Sequence, residues 1–138
     1  MSVLVDTTIW SLALRRNKEK LNAEERQLFD FWTQLVITDR VKIIGSVRTE
    51  VLSGVREVEN FERLKDRLAQ FEDLAIDRRD YERAAEYYNN CRRNGIQASH
   101  VDMLICSAAQ AHDLEVFTTD PDFEHYSRVL GTKLFKSP

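Results

Sequence analysis

The side chains best suited to chemistry in this sequence are carboxylates that follow short apolar segments or open helical patterns. Asp6 and Asp120 each come directly after a short apolar segment. Asp102 lies in the first turn of an alanine-rich helical pattern, and Glu50 lies about one turn into another. Four separate segments therefore each supply an acidic side chain, and their chemistry depends on whether the fold brings them together.

Each carboxylate taken alone also has a purely structural explanation. Four of the acids stand at predicted helix starts: Asp6, Asp102, Asp120 and Asp122. A carboxylate there caps free backbone N–H groups and complements the helix dipole. Glu50 differs, because it stands between Val47 and Val51, beside the apolar stripe that should face the sheet. An unpaired carboxylate in such a place is costly, so we expect Glu50 to have a partner.

If the acids converge, they need a cation. Carboxylates gathered at one place repel each other and raise each other's pKa unless a positive charge neutralises them. Oxygen ligands without a nearby Cys or His pair suit a hard ion, which favours Mg²⁺ or Mn²⁺ over Zn²⁺. Such ions lower the pKa of an attacking water and neutralise charge on a scissile phosphate. The acids therefore indicate a metal-dependent phosphodiesterase.

The elements that must position these acids alternate between short β-type segments and longer helical patterns. We predict strands at 3–5, 41–44, 74–76 and 115–118, and a fifth if 133–135 joins the sheet. Alternation of this kind predicts an α/β fold with a mostly parallel sheet between helices. Ligands of such sheets bind outside the carboxyl ends of the strands, where Asp6 and Asp120 fall.

Several residues mark the expected helix ends. Ser46, Asp77 and Ser99 are predicted N-caps, because each precedes a helical pattern and carries a side-chain oxygen. Gly95 is expected to close the helix that Asp77 opens.

Composition limits the class of protein. The 138 residues are 43% hydrophobic and 31% charged, which predicts a single domain over residues 1–138. No apolar run is long enough to span a membrane, and the start of the chain shows no secretion signal. The two cysteines form neither a disulfide framework nor a zinc spacing, so we expect a cytoplasmic protein. A net charge of −3 argues against nucleic-acid binding by a general basic surface.

Four short motifs, in this order, resemble the PIN domain family. They are VLVDTT at 3–8, TEVLSGV at 49–55, VDMLICSAA at 101–109 and TTDPDF at 118–123. The resemblance extends from Ser2 to about Phe135 and is strongest to the VapC-like ribonuclease toxins of prokaryotic toxin–antitoxin pairs. It implies a three-layer α/β/α domain with a short sheet of four to five strands. It also implies Mg²⁺- or Mn²⁺-dependent endoribonuclease activity, a homodimer and inhibition by a small antitoxin.

The resemblance also assigns roles by position. Three residues match the metal-binding acids of the family: Asp6, Glu50 and Asp102. The fourth acid is Asp120 or Asp122, and we take Asp120 as the main ligand with Asp122 as its helper. Thr7 and Thr118 match hydroxyl positions that orient a carboxylate or a water.

Two arginines are candidates for RNA contacts. Arg15 and Arg16 follow the first helix closely and are placed to contact phosphate at the mouth of the site. The alternative for both is an ordinary solvated surface.

Other functions fit these residues less well. A phospho-accepting receiver domain has paired acids after its first strand, and an aspartyl-phosphate phosphatase has a second Asp two residues after the first. Here Asp6 is followed by Thr7 and Thr8. We therefore predict a metal-dependent endoribonuclease acting on RNA, with a cognate antitoxin and no membrane association. The alternative is a non-catalytic PIN-like module that acts through protein partners.

Overall fold

A short parallel sheet forms the centre of the computed structural model, which describes residues 1–136. Its strands are β1 (Val3–Val5), β2 (Val41–Lys42) and β3 (Glu115–Phe117), in the order β2-β1-β3. β1 pairs in parallel with both neighbours. All three β1 residues are fully buried although successive side chains point to opposite faces, so both faces of the sheet are covered. The predicted α/β class is confirmed.

Seven α-helices surround this sheet in the described part of the chain. They are α1 (Thr7–Leu14), α2 (Ala23–Ile37), α3 (Gly45–Leu52), α4 (Val58–Leu68), α5 (Arg78–Arg93), α6 (His100–His112) and α7 (Asp122–Leu130). None of the helices within residues 1–136 is long and apolar enough to cross a membrane.

The sheet has fewer strands than the four to five predicted. The segments at 74–76 and 133–135 each meet the sheet through one parallel bridge, Ile43 with Asp73 and Val116 with Leu134. β2 is also shorter than predicted: it ends at Lys42, Ile43 bridges to Asp73 instead, and the extended Ile44 is the N-cap of α3. Three strands with one bridging segment at each edge therefore replace the wider sheet.

The helix ends agree with the sequence except at α3. Asp77 and Ser99 are the N-caps of α5 and α6, and Gly95 takes a left-handed φ of 72° just after α5. The prediction for Ser46 is wrong. α3 begins two residues earlier, at Gly45 with Ile44 as its N-cap, and the buried Ser46 hydroxyl has no partner among the described residues.

Trp10 holds α1 on the sheet. This side chain is fully buried, and its indole N–H donates to the carbonyl of Val5 at 3.0 Å. Its ring meets Phe71 edge-on, with centroids 4.9 Å apart. The start of α1 is therefore fixed against the end of the central strand.

Arg48 holds α3 against the segment that follows α4. Its guanidinium donates to the carbonyls of Leu68 at 2.9 Å and Phe71 at 2.6 Å. It also pairs with the Asp73 carboxylate at 2.8 Å. These contacts set the position of α3, which carries Glu50.

We predict that Arg48→Ala lowers the free energy of unfolding by about 2 kcal/mol, because two backbone carbonyls and a carboxylate lose their donor together. Urea denaturation measures the loss. Arg79→Ala is the matched control, since Arg79 is exposed on α5 and its replacement should change stability by about 0.5 kcal/mol or less. Equal effects of the two changes would contradict the role given to Arg48.

Candidate active site

Asp6 is a buried carboxylate at the end of the central strand. Its exposed fraction is 4%, and it is the N-cap of α1. One oxygen accepts from the Thr7 backbone N–H at 2.6 Å. The other accepts from the Thr8 hydroxyl at 2.9 Å and from the Thr118 hydroxyl at 2.6 Å. Neutral donors therefore hold the Asp6 carboxylate from both α1 and the segment after β3.

Glu50 reaches the same place from α3. The Thr7 hydroxyl donates to Glu50 Oε1 at 2.9 Å, which links this acid to the first turn of α1. The expected partner is present, but the reason given for it is wrong, because Glu50 is exposed. Val47 and Val51 carry the buried face of α3, and Glu50 lies at its edge with its carboxylate in solvent.

Thr118 also positions the acid of the fourth segment. The Asp120 backbone N–H donates to Thr118 Oγ1 at 3.0 Å, while the same hydroxyl donates to Asp6. The Asp122 backbone N–H then donates to Asp120 Oδ1 at 2.9 Å. Asp120 is half-buried and Asp122 is exposed, so Asp120 lies nearer the centre of the cluster.

Asp102 completes the cluster from α6. Its pKa is raised to about 6, chiefly by burial and also by the negative charges of Asp6 and Asp120, against hydrogen bonds that lower it. The main such bond comes from the hydroxyl of Tyr126, at 2.8 Å from Asp102 Oδ2. Burial and the bond to Asp102 also raise the Tyr126 pKa above its ordinary value.

The structure thus brings together Asp6, Glu50, Asp102 and Asp120, with Thr7 and Thr118 between them. Asp122 lies at the rim, in a cleft of about 520 Å³ that it shares with Asp102, His125 and Tyr126. Sequence reasoning missed Thr8 and Tyr126 as members of this cluster. Thr8 could have been found from the sequence, because its hydroxyl lies two residues after Asp6. Tyr126 could not, because its sequence pattern is that of any buried aromatic residue in an amphipathic helix.

Of the two arginines predicted at the mouth of the site, Arg16 shares a cleft with Thr7 and Thr8 beside the carboxylates, and Arg15 does not. α1 is eight residues long, so Arg15 and Arg16 follow its far end, about 12 Å along the helix axis from Thr7. Arg16 forms an ion pair with Glu25 of α2 at 2.8 Å. Arg15 instead lines a separate cleft beside α4.

The donor set of the cluster fits a hard divalent cation. All its polar groups are carboxylate or hydroxyl oxygens, the ligands that Mg²⁺ and Mn²⁺ prefer. The ion pairs found within residues 1–136 all lie elsewhere, so no basic side chain neutralises these acids. In that same range no three acid, histidine or cysteine side chains already converge on one point. Thr7 links Asp6 with Glu50, Thr118 links Asp6 with Asp120, and Tyr126 holds Asp102.

Comparison with known proteins agrees with this geometry. The family model described as PIN domain matches residues 3–129. No curated protein matches the chain.

Solved structures share the fold at low sequence identity. FitAcB from Neisseria gonorrhoeae is 20% identical with a TM-score of 0.75, over 97% of this chain and 96% of that chain. VapBC2 from Rickettsia felis, bound to a DNA fragment from their promoter, is 16% identical with a TM-score of 0.74, over 100% of both chains. VapBC-5 from Mycobacterium tuberculosis is 16% identical with a TM-score of 0.68, over 99% of this chain and 98% of that chain.

We predict that Asp102→Asn stabilises the metal-free protein at neutral pH. The folded-state pKa of about 6 exceeds the ordinary value of 3.8, so the stability that Asp102 contributes is complete below 3.8 and is lost as pH rises to about 6. Asn carries no charge and avoids this loss. The gain should be about 1 kcal/mol, because water reaches the half-buried group and screens it.

Thermal melts in EDTA, below and above this pH window, measure the effect. Asp30→Asn is the control, because Asp30 is exposed on α2 and its loss removes the same charge. An Asp102→Asn gain that is the same at both pH values would contradict the assignment.

We also predict that Tyr126→Phe moves the Asp102 pKa above about 6, because the Tyr126 hydroxyl lowers that pKa by donating to the carboxylate. Carbon NMR of the carboxyl group measures the titration in metal-free protein. Tyr81→Phe, at an exposed tyrosine on α5, should leave it unchanged. An unmoved Asp102 titration in Tyr126→Phe would exclude this hydrogen bond in solution.

Proposed function

The chain belongs to the PIN domain family, and on this premise we propose that it is a metal-dependent endoribonuclease, the toxin of a toxin–antitoxin pair. The observation that carries this proposal is the cluster at the carboxyl edge of the sheet. Four elements of the fold each supply a carboxylate there, and hydroxyls rather than basic side chains hold them. Purely structural acids would gain stability from basic partners, whereas these acids lack them.

Four residues would hold Mg²⁺ or Mn²⁺ in this proposal: Asp6, Glu50, Asp102 and Asp120. Asp122 is a helper at the rim. When bound, the ion activates a water for in-line attack and neutralises charge on the phosphate and the leaving oxygen.

The chain's own residues orient the carboxylates for this chemistry. The Thr7 N–H on one oxygen and the Thr8 and Thr118 hydroxyls on the other fix the orientation of the Asp6 carboxylate. Tyr126 holds one oxygen of Asp102. The hydroxyls near Asp6 donate to carboxylates and orient them, so we infer direct attack by water without a covalent intermediate.

Partners follow from the relatives rather than from this chain alone. The Mycobacterium tuberculosis relative is described as a member of the VapBC family of toxin-antitoxin systems, and a Klebsiella pneumoniae relative as a toxin-antitoxin complex. These relatives support a cognate antitoxin as inhibitor of the present chain. We further propose that the chain acts in the cytoplasm as a homodimer.

The first experiment is cleavage of total cellular RNA by the purified protein. We expect discrete fragments with Mg²⁺ or Mn²⁺ and none with EDTA. Asp6→Asn should abolish cleavage and leave the melting temperature unchanged or higher, because Asn still accepts from the Thr7 N–H while one repulsive charge is removed.

Asp30→Asn, purified in the same way, is the matched control and should cleave like the parent. Fragments that persist in Asp6→Asn would come from a contaminant or another site and would refute the proposal. Absence of cleavage by the parent over a broad panel of RNAs would favour the non-catalytic binding module.

A further inference from the structure

A second cleft, lined by arginines, lies at the end of α1 that is remote from the carboxylates. It has a volume of about 510 Å³ and lies between the end of α1, the loop after α3 and one face of α4. Four of its lining residues are basic and one is acidic: Arg15, Arg56, Arg63, Arg67 and Glu57. We call this feature the arginine cleft.

The guanidinium groups of the arginine cleft are available to an anion. All four arginines are exposed, and within residues 1–136 none of them forms an ion pair. Arg63 donates only to the Asn60 side chain at 3.2 Å, and Arg15 only to the Val51 carbonyl at 3.5 Å. These neutral contacts orient the side chains and leave their charges uncompensated.

The arginine cleft and the carboxylate cluster share the same two helices. α1 begins at the cluster and ends at Arg15, about 12 Å further along its axis. Glu50 belongs to the cluster, and Gly54, four residues later, lines the arginine cleft. Arg15 reaches back to Val51, the neighbour of Glu50 in the chain. A single-stranded nucleic acid lying along α1 and α3 would therefore pass from the carboxylate cluster to the arginine cleft within a few nucleotides.

We propose that the arginine cleft binds the phosphodiester backbone of the RNA strand, a few nucleotides from the bond that is cut. This inference rests on the proposed ribonuclease function. An RNA strand is repelled by a cluster of carboxylates and by a chain with a net charge of −3, so it needs a local basic site to hold it. Guanidinium groups match phosphate geometry through paired N–H donors, and such contacts position a strand without reading its sequence.

Binding of a fluorescein-labelled oligouridylate in EDTA, followed by fluorescence anisotropy, tests the cleft without cleavage. The double variant Arg63→Ala/Arg67→Ala should weaken binding about tenfold. It should also reduce the slope of log affinity against log salt by about 1.4, which is about 0.7 for each lost phosphate contact on a single strand.

Arg78→Ala/Arg79→Ala removes the same charge from the exposed start of α5 and is the matched control. Arg63→Lys/Arg67→Lys should keep the salt dependence of the parent, because the charges remain, but lose part of the affinity, because an ammonium group lacks the paired N–H donors of a guanidinium. Equal losses in the Ala double variant and the α5 control would overturn the proposal, since they would reflect net charge alone. Circular dichroism melts establish that each variant is folded.

Hydrolysis of two substrates separates this proposal from the ribonuclease assignment. Bis(p-nitrophenyl) phosphate is too small to reach the arginine cleft, so Arg63→Ala/Arg67→Ala should hydrolyse it like the parent. The same variant should cleave RNA with a raised KM and an unchanged kcat. If the parent cleaves RNA and the double variant cleaves it equally well, the cleft proposal fails and the ribonuclease stands. If the parent hydrolyses neither substrate, the proposed ribonuclease function is refuted. The anisotropy measurement then shows by itself whether the arginine cleft binds RNA.

An acidic peptide is the competing occupant. Poly-glutamate should bind more weakly than the oligouridylate at equal charge. If Arg63→Ala/Arg67→Ala loses poly-glutamate binding while oligouridylate binding is unchanged, the cleft belongs to an acidic protein partner and the proposal is overturned.

Discussion

The burial of the Asp6 carboxylate at the end of the central strand is the constraint on which the rest of this structure depends. β1 is fully buried, so the residue that ends it enters α1 in the interior of the fold. A negative charge there must be solvated by the protein itself. The Thr7 N–H, the Thr8 hydroxyl and the Thr118 hydroxyl do this, and they tie α1 to the segment after β3. The same hydrogen bonds therefore solvate the Asp6 charge and fix α1 relative to the segment after β3.

Neutral donors solvate a carboxylate without cancelling its field. The charge of Asp6 therefore still acts on its neighbours, and it contributes to the raised pKa of Asp102. An arginine or lysine in this place would neutralise the Asp6 charge, whereas the threonine hydroxyls leave it in place. A cluster held by threonine and tyrosine hydroxyls therefore keeps its net negative charge.

The sequence was sufficient for features that depend on local pattern. Asp6 and Asp120 follow strands, and parallel strands have their carboxyl ends at one edge, so their approach was predictable. The edge segments at 74–76 and 133–135 were predicted as strands because apolar β-type runs look alike whether they form a ladder or one bridge. The expected partner of Glu50 is present, but its expected burial was wrong, since exposure depends on how far a side chain extends past its helix. Tyr126 lies 24 residues from Asp102, and no local pattern predicts that contact.

Arg15 and Arg16 show that the sequence does not predict which surface a side chain at a helix end will line. The two residues are adjacent, yet one lines the arginine cleft beside α4 and the other pairs with Glu25 of α2. Neighbouring residues at a helix end point in directions about 100° apart, so the packing of α2 and α4 around α1 decides what each one meets. α1 itself is polarised in the sense that its dipole favours, with Asp6 capping its positive end and Arg15 capping its negative end. One short helix thereby places a carboxylate at one end and a guanidinium at the other. The carboxylate attracts cations, and the guanidinium attracts anions such as phosphate.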